Sequence, residues 1–483
     1  MQAILNHKRQ NNLFLLLYVF ACIYLIIRTY TVDITDDEAW SYYNVKNFLW
    51  VEVLCSGNTH WFNFLAIKIA LLFGGEQTWQ LRWFSLLSGI GFYAIVFLWL
   101  KEQASFFIKL LAFSFFFLNP YLIEYLTLAR GYSSGLMFML LSLWILFKIK
   151  ETQGNRTKEL AALFFAGCSA IANFNFFYFF VAFVCLYLYE VYLLRKTFNL
   201  KNKALWLDLA FMLSVSVLVL KALAFIKECS NDIGSFGGDN LFTSIFASFI
   251  DTLLYGKLIL SPNQKLIIGI CFFVLIISSA CYGIVLKAKH QNQLFLYSSV
   301  VLLLMLGLVT LNYYAFHVLF PTERTALMFY PLFFIVLVGF IDSLIRNVFM
   351  KAIIASLLGL MLTINFFLSA KLVSGYDHAY CMNSKQYFDY LGNESLKKVG
   401  LCVDVYFVYL KYYKYTSCQF EAQSIDEYWI NEKYRFNNKL EDFDGLLMLP
   451  PYNLSYYYGK SKVTLKPIKY FNNTQAIIFK VVK

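Results

Sequence analysis

Long apolar runs alternate with short basic clusters through the first three quarters of the chain. Each run has about the length of a membrane helix, near 20 residues. They fall near 13–30, 81–100, 106–122, 132–149, 159–173, 176–194, 205–226, 266–286, 294–315, 327–345 and 351–371. This pattern predicts roughly eleven spanning helices. Lys8, Arg9, Lys101, Lys109, Lys148, Lys150, Arg195, Lys196, Lys287, Lys289, Arg346 and Lys351 fall on one set of connections. The other set is poorer in Lys and Arg and carries Asp36, Asp37, Glu38, Glu124, Asp239, Asp251 and Glu323. That bias places the N-terminus inside and the acidic connections outside. No small-residue cleavage site follows the first run, so it is expected to stay in place as a helix.

The outer connections are not plain loops. Behind the first run stands Thr35-Asp36-Asp37-Glu38, then two amphipathic stretches, Ala39 to Leu54 and His60 to Phe73, closed by Gly74-Gly75. Their apolar residues recur at helical intervals, which predicts helices lying at the membrane surface. The second outer connection is dense, with Asn119-Pro120 and Ala129-Arg130-Gly131-Tyr132; Pro120 ends or kinks a helix there. Leu241 to Tyr255 is apolar but too short to span, so an interfacial or re-entrant helix is expected. A last outer turn holds His317 and Pro321-Thr322-Glu323-Arg324-Thr325.

Beyond about residue 372 the spanning runs stop. Strand-like stretches at 398–403 and 476–482 alternate with helical ones at 384–391 and 424–434, predicting a small α/β domain over 373–483, outside the cytoplasm. The expected class is therefore mainly α, a polytopic membrane domain at 1–372 followed by that α/β domain.

Composition agrees. Sixty per cent of the residues are hydrophobic and only 14% charged, and the mean hydropathy is +0.59. A soluble domain carries about 25% charged residues. The net charge of +12 does not indicate nucleic acid, because the basic residues sit in the clusters that orient the spans. Ten cysteines include no Cys-x-x-Cys pair; Cys381, Cys402 and Cys418 leave room for one disulfide in the outer domain. No Gly-rich nucleotide loop stands between a strand and a helix, so a soluble nucleotide-sugar donor is unsupported.

The acidic triplet supports two readings. Carboxylates at the mouth of a span are costly to desolvate and usually face water, a cation or a substrate. Thr35 followed three residues later by Glu38 is also a capping box. Oxygen ligands suit magnesium or manganese, so Asp36 and Asp37 are candidates for holding a divalent cation. Arg130 and Arg324 are placed to meet an anion at the outer face, since a guanidinium offers phosphate a planar fork of donors. Their alternatives are an ion pair across the turn with Glu124 for Arg130, and pairing with Glu323 or snorkelling for Arg324.

The chain resembles polyprenyl-phosphate-dependent glycosyltransferases of the C superfold, the group that includes protein O-mannosyltransferases and aminoarabinose transferases. The resemblance runs through Asp37-Glu38 with Ser41, Asn58-Thr59-His60-Trp61-Phe62-Asn63, Phe73-Gly74 and Leu81-Arg82. It continues through Ala129-Arg130-Gly131-Tyr132, then Pro321-x-x-Arg324-Thr325 and Tyr330-Pro331-Leu332. It covers about 1–372. Trp61 stands where relatives carry Pro, and Asn173-Phe174-Asn175 departs from a His-Tyr seen in some. The resemblance implies a sugar donor linked to polyprenyl phosphate and a lipid, glycan or protein acceptor, in a bacterial inner membrane. It implies Asp37 as base with Glu38 orienting it or binding acceptor, and Arg130 and Arg324 on the phosphate, with Lys221 or Lys227 as weaker candidates there. His60, Asn63, Glu124 and Tyr132 would line the sugar and acceptor pocket. A transporter, or a flippase or polymerase of lipid-linked glycans, is the rival class. A transporter is expected to carry charges near the bilayer midplane, whereas Lys221, among the few basic residues within a predicted span, lies near that span's outer end and the carboxylates cluster outside.

Overall fold

The computed structural model describes the chain apart from residues 1, 50–59, 104, 152–155, 191–209, 214, 218–219, 221–236, 257–259, 286–292, 371, 373–383, 395, 402–407, 417–420, 425–442, 449–463, 472–475 and 483. Cα packing divides it into two units. The first comprises Met1–Ile27, Val51–Ala66 and Arg82–Ala370; the second comprises Arg28–Trp50, Ile67–Leu81 and Lys371–Lys483.

The first unit is helical, as a chain crossing lipid must be when it is not a closed barrel, since each backbone N–H and C=O needs an internal partner. Seven described helices are long and apolar enough to span: Arg9–Thr31 (which runs on into the second unit), Trp83–Glu102, Tyr132–Ile149, Pro262–Val285, Gln293–Phe316, Glu323–Leu344 and Val348–Ser369. An eighth candidate is Phe106–Phe117 with Pro120–Thr127, bent by 53° between them. Pro120 opens the second half of that pair, where its missing N–H costs nothing, and the Asn119 side chain accepts from the Leu122 N–H. The predicted runs at 159–173 and 176–194 are the helices Arg156–Ala172 and Phe177–Leu188, of 17 and 12 residues. Most of 205–226, with Lys221, lies outside the described residues, so eight spans at most are counted against the eleven expected.

Small residues let these helices approach closely. Phe295 of Gln293–Phe316 lies against two glycines on neighbouring helices. A Cβ at Gly283 would meet its ring at 2.8 Å, and one at Gly339 would meet it at 2.5 Å. The short helical piece Phe242–Leu253, predicted as non-spanning, is held by aromatic rings. Phe249 stacks on Phe272 at 4.9 Å and meets Tyr330 edge-on at 4.8 Å. Asn365 donates to the Leu253 carbonyl at 2.8 Å, satisfying a helix end that lipid could not.

The second unit contains a five-stranded sheet of β1 (Lys398–Leu401), β2 (Glu421–Ser424), β3 (Gly445–Met448), β4 (Thr464–Phe471) and β5 (Ala476–Val482), in the order β2-β1-β3-β5-β4. The first three are parallel and the last two pair antiparallel. Phe443, Leu446, Met448, Leu465, Phe479 and Val481 form a buried cluster along it. The helix Ser384–Asn393 packs Tyr387 edge-on against Phe471 at 4.7 Å. Ser424 closes strand β2, which corrects the helix expected to start there; 425–434 lies outside the described residues.

The helix Asp36–Lys46, which carries the acidic residues, is in this second unit. Tyr42 meets Tyr412 edge-on at 5.2 Å. Lys46 bonds Glu76 at 2.9 Å, and the Tyr412 hydroxyl donates to the Glu76 carbonyl at 2.8 Å. The helix was expected to run to Leu54. It ends at Lys46, followed by Phe48 with φ +59°, a conformation that breaks a helix. Trp50 and Leu54 lie outside the described residues, as do Cys381, Cys402 and Cys418.

Replacing Gly339 by Ala is expected to destabilise the first unit by about 1–3 kcal/mol through overpacking on Phe295. Adding Phe295→Leu should return part of the loss, read as the thermal unfolding midpoint in detergent. A single variant as stable as the parent would show that the slot has slack.

Candidate active site

In the first unit, chain reversals bring His60, Asn63, Arg130, Tyr132 and Arg324 into one neighbourhood. His60 immediately precedes the helix Trp61–Leu72, and its carbonyl accepts from the Phe64 N–H at 3.0 Å. One turn on, Asn63 accepts from the Ser85 hydroxyl at 3.3 Å, and the Ser85 carbonyl accepts from the Ser133 hydroxyl at 2.7 Å. Three helix starts are thereby tied together.

The reversal after Pro120–Thr127 is tight: the Arg130 N–H donates to the Leu128 carbonyl at 2.8 Å, and Gly131 follows with φ +67°. Only glycine adopts that conformation without strain. It also fits nowhere larger, since a Cβ at Gly131 would lie 2.3 Å from the Ala172 carbonyl oxygen and 2.9 Å from His60 Nδ1. Tyr132 then faces His60 with ring centres 5.6 Å apart, and Tyr125 meets Tyr132 edge-on at 5.0 Å. Arg130 is 1% exposed.

Arg324 opens a tight 3-10 turn, Glu323–Phe329, after Thr322. Thr322 and Thr325 bond each other reciprocally at 2.8 and 2.7 Å, and the Glu323 N–H donates to the Ser248 hydroxyl at 2.7 Å. Burial pushes the His60 imidazole well below its ordinary value of 6.5, and the positive charges of Arg130 and then Arg324 push it further. The ring is therefore neutral at physiological pH. Glu124 is fully buried and accepts from the Tyr255 hydroxyl at 2.9 Å. Tyr255 takes a left-handed φ of +57° at the end of the short helix Ser248–Leu253.

The carboxylate group belongs to the second unit. Thr35 and Glu38 close the capping box anticipated from their spacing. The Glu38 carboxylate accepts from the Thr35 N–H at 3.0 Å and from its hydroxyl at 3.1 Å, while the Glu38 N–H donates back at 3.3 Å. Glu38 is buried; Asp36 and Asp37 are half-buried. Ser41 donates to the Asp37 carbonyl at 2.9 Å, one turn on. Among the described residues no three His, Cys, Asp or Glu side chains stand together as a metal site. With Glu38 held in the cap, a cation would have Asp36 and Asp37 as its carboxylates.

No family model matches the chain, and no curated protein does. Among solved structures it is similar to ArnT from Cupriavidus metallidurans in the apo state. The two share 9% identity over 96% of this chain and 97% of that one, with a TM-score of 0.44. A likeness that slight carries no argument about chemistry, which is drawn below from this chain's own residues.

Three contributors went unassigned from sequence. Asn173 reaches His60 across 113 residues, with Nδ2 and Nδ1 3.4 Å apart. Ser85 binds Asn63, and Tyr255 binds Glu124. Each is a common polar residue whose partner is distant in sequence. Lys227, like Lys221, lies outside the described residues.

Two outcomes follow. Gly131→Ala should abolish activity or folding, because both the φ and the Ala172 contact oppose it; a fully active, equally stable variant would refute the close approach. Acidification should also cost stability at His60. Its folded pKa lies below the unfolded one, so the unfolded state binds the extra proton and stability falls as pH drops below about 6.5, by up to about 1.4 kcal/mol per pH unit. Unfolding midpoints between pH 7.5 and 5 should fall less in His60→Gln than in the parent, and equal falls would contradict the shift.

Proposed function

We propose that the chain is an integral-membrane glycosyltransferase. It moves a sugar from a polyprenyl-phosphate donor to a hydroxyl or phosphate of a lipid, glycan or protein acceptor, at the outer face of a bacterial inner membrane. The observation that supports this best is that Arg130 and Arg324, nearly 200 residues apart, both act on the buried ring of His60. Two guanidinium groups repel each other in a low-dielectric interior, and an anion between them turns that repulsion into attraction. A phosphate attached to a lipid reaches such a place from within the membrane.

The chemistry needs few parts. The donor carries its own phosphate leaving group, whose developing charge Arg130 and Arg324 stabilise. The acceptor hydroxyl must lose a proton, and one carboxylate suffices as base in an inverting displacement. Asp37 is assigned that role. Glu38 is the residue whose cap fixes the start of the helix on which Asp37 stands, so capping and catalysis are shared between neighbours rather than in competition. Tyr132, His60 and Asn63 hold the sugar, and Glu124 with Tyr255 contributes to the acceptor side. No step is routed through a cation. The division at 372/373 into a membrane domain and an extracytoplasmic α/β domain belongs to the same proposal.

Turnover of polyprenyl-phosphate-linked sugars in membranes tests the assignment. At matched expression, Asp37→Asn should lose about 10²–10⁴-fold in rate, the usual contribution of a general base. Thr35→Ala should instead cost about 0.5–2 kcal/mol of stability through the lost cap. Full activity in Asp37→Asn would sink the base assignment and leave the triplet as a helix cap alone.

A further inference from the structure

The short helix Ser248–Leu253, with the residues just past it, is bonded toward both arginines. Ser248 and Thr252 stand one turn apart on one face of it. The Ser248 hydroxyl accepts from the Glu323 N–H at 2.7 Å, directly before Arg324. The Thr252 hydroxyl bonds that of Tyr330, directly after the 3-10 turn Glu323–Phe329. The turn that carries Arg324 is therefore held at both ends by one helix face. Two residues beyond the helix, the Tyr255 hydroxyl donates to the Glu124 carboxylate at 2.9 Å. From Glu124 the backbone leads to the other arginine. The Leu128 N–H donates to the Glu124 carbonyl at 3.3 Å, and the Arg130 N–H to the Leu128 carbonyl at 2.8 Å.

Backbone strain marks the same two contacts. Glu323 has φ +46° and Tyr255 φ +57°. A side chain is disfavoured in that region, and such strain persists only where neighbouring contacts over-determine the backbone. The need to satisfy buried polar groups explains why the hydroxyls are bonded. It does not explain why one six-residue helix is tied to the turns of both arginines, with a left-handed residue at each tie. Electrostatics supplies a reason. The charges of Arg130 and Arg324 both bear on His60, and two guanidinium groups in one low-dielectric neighbourhood repel. Untethered turns would relax by moving apart. A helix fastened to both prevents this and keeps open the gap that an anion enters.

We propose that Ser248–Leu253 with Tyr255 is a brace that holds Arg130 and Arg324 at a fixed separation, so that the pair is preorganised for one phosphate group. Ser248 acts on Arg324 through Glu323, and Tyr255 acts on Arg130 through Glu124. Both are positioning residues. This rests on the lipid-phosphate reading above and adds the element that sets its geometry.

The test uses the full chain in lipid nanodiscs, and its readout is the affinity for polyprenyl phosphate relative to that for uncharged polyprenol. Ser248→Ala should lower this preference about 3- to 10-fold, within the range for coupled neighbours. Ser248→Thr, which keeps the hydroxyl, should hold it within about 2-fold of the parent. In an Arg324→Gln background Ser248→Ala should leave the preference unchanged, because the group it positions is gone. Tyr255→Phe should lower the preference in the parent and leave it unchanged in Arg130→Gln. A hydroxyl that merely stabilises the fold would weaken both lipids alike, in either background, and that result overturns the inference. So does an unchanged preference in either single variant. Where a variant does not fold, amide exchange in the parent decides. The Glu323 N–H should exchange more slowly with saturating polyprenyl phosphate than with polyprenol, since the anion tightens the braced turn; equal exchange contradicts the brace. A parent with no preference for the phosphate removes the lipid-phosphate reading itself, and the brace falls with it.

Discussion

Everything in the candidate site depends on one close approach, that of Gly131 to the end of the helix Arg156–Ala172. With φ +67° and no room for a side chain, this residue turns the chain back so that Arg130 precedes the reversal and Tyr132 follows it. The Ala172 carbonyl and His60 Nδ1 both border the space where its side chain would be. A residue with a Cβ would separate three segments at once, and the arginine, the ring and the tyrosine would no longer share one environment. The imidazole gives up its charge first because it is buried, and the nearby charges of Arg130 and Arg324 push the same way.

The surrounding helices have a different task. In lipid each buried polar group must be satisfied from within the protein, and the bonds Asn365 to Leu253, Ser85 to Asn63 and Asn119 to Leu122 serve that need. The carboxylates follow the same logic in the second unit. Glu38 is buried because Thr35 bonds it at two points, and this frees Asp36 and Asp37 from the capping role. One sequence motif therefore yields a structural carboxylate and two that are half-exposed, side by side.

Much of this was legible in the chain. Eight of the eleven apolar runs fall on candidate spanning helices, counting the bent pair as one, Pro120 marked the break, and Thr35 with Glu38 the capping box, because each signal is local. Strand β2 was hidden, since Glu421-Ala422-Gln423-Ser424 has no strand-like alternation and is a strand only by pairing beside β1. Trp50 and Leu54 suggested a longer helix than forms, as periodicity does not register a left-handed residue such as Phe48. Arg130 and Arg324 could each be picked as anion ligands, but only the fold brings turns nearly 200 residues apart close enough for both charges to bear on His60. Asn173 was visible only as a departure from a family pattern, and its role arises from the fold.

The proposed site for a lipid-linked phosphate is formed by Arg130 and Arg324 together. It is tested most directly by comparing the affinity of the purified protein for polyprenyl phosphate and for the uncharged polyprenol of the same length. The parent should prefer the phosphate by at least about 10-fold, since charged hydrogen bonds of this kind contribute about 1.5–3 kcal/mol. The double variant Arg130→Gln, Arg324→Gln should bind the two lipids alike. A parent protein that does not distinguish them, or a double variant that keeps the full preference, would contradict the account.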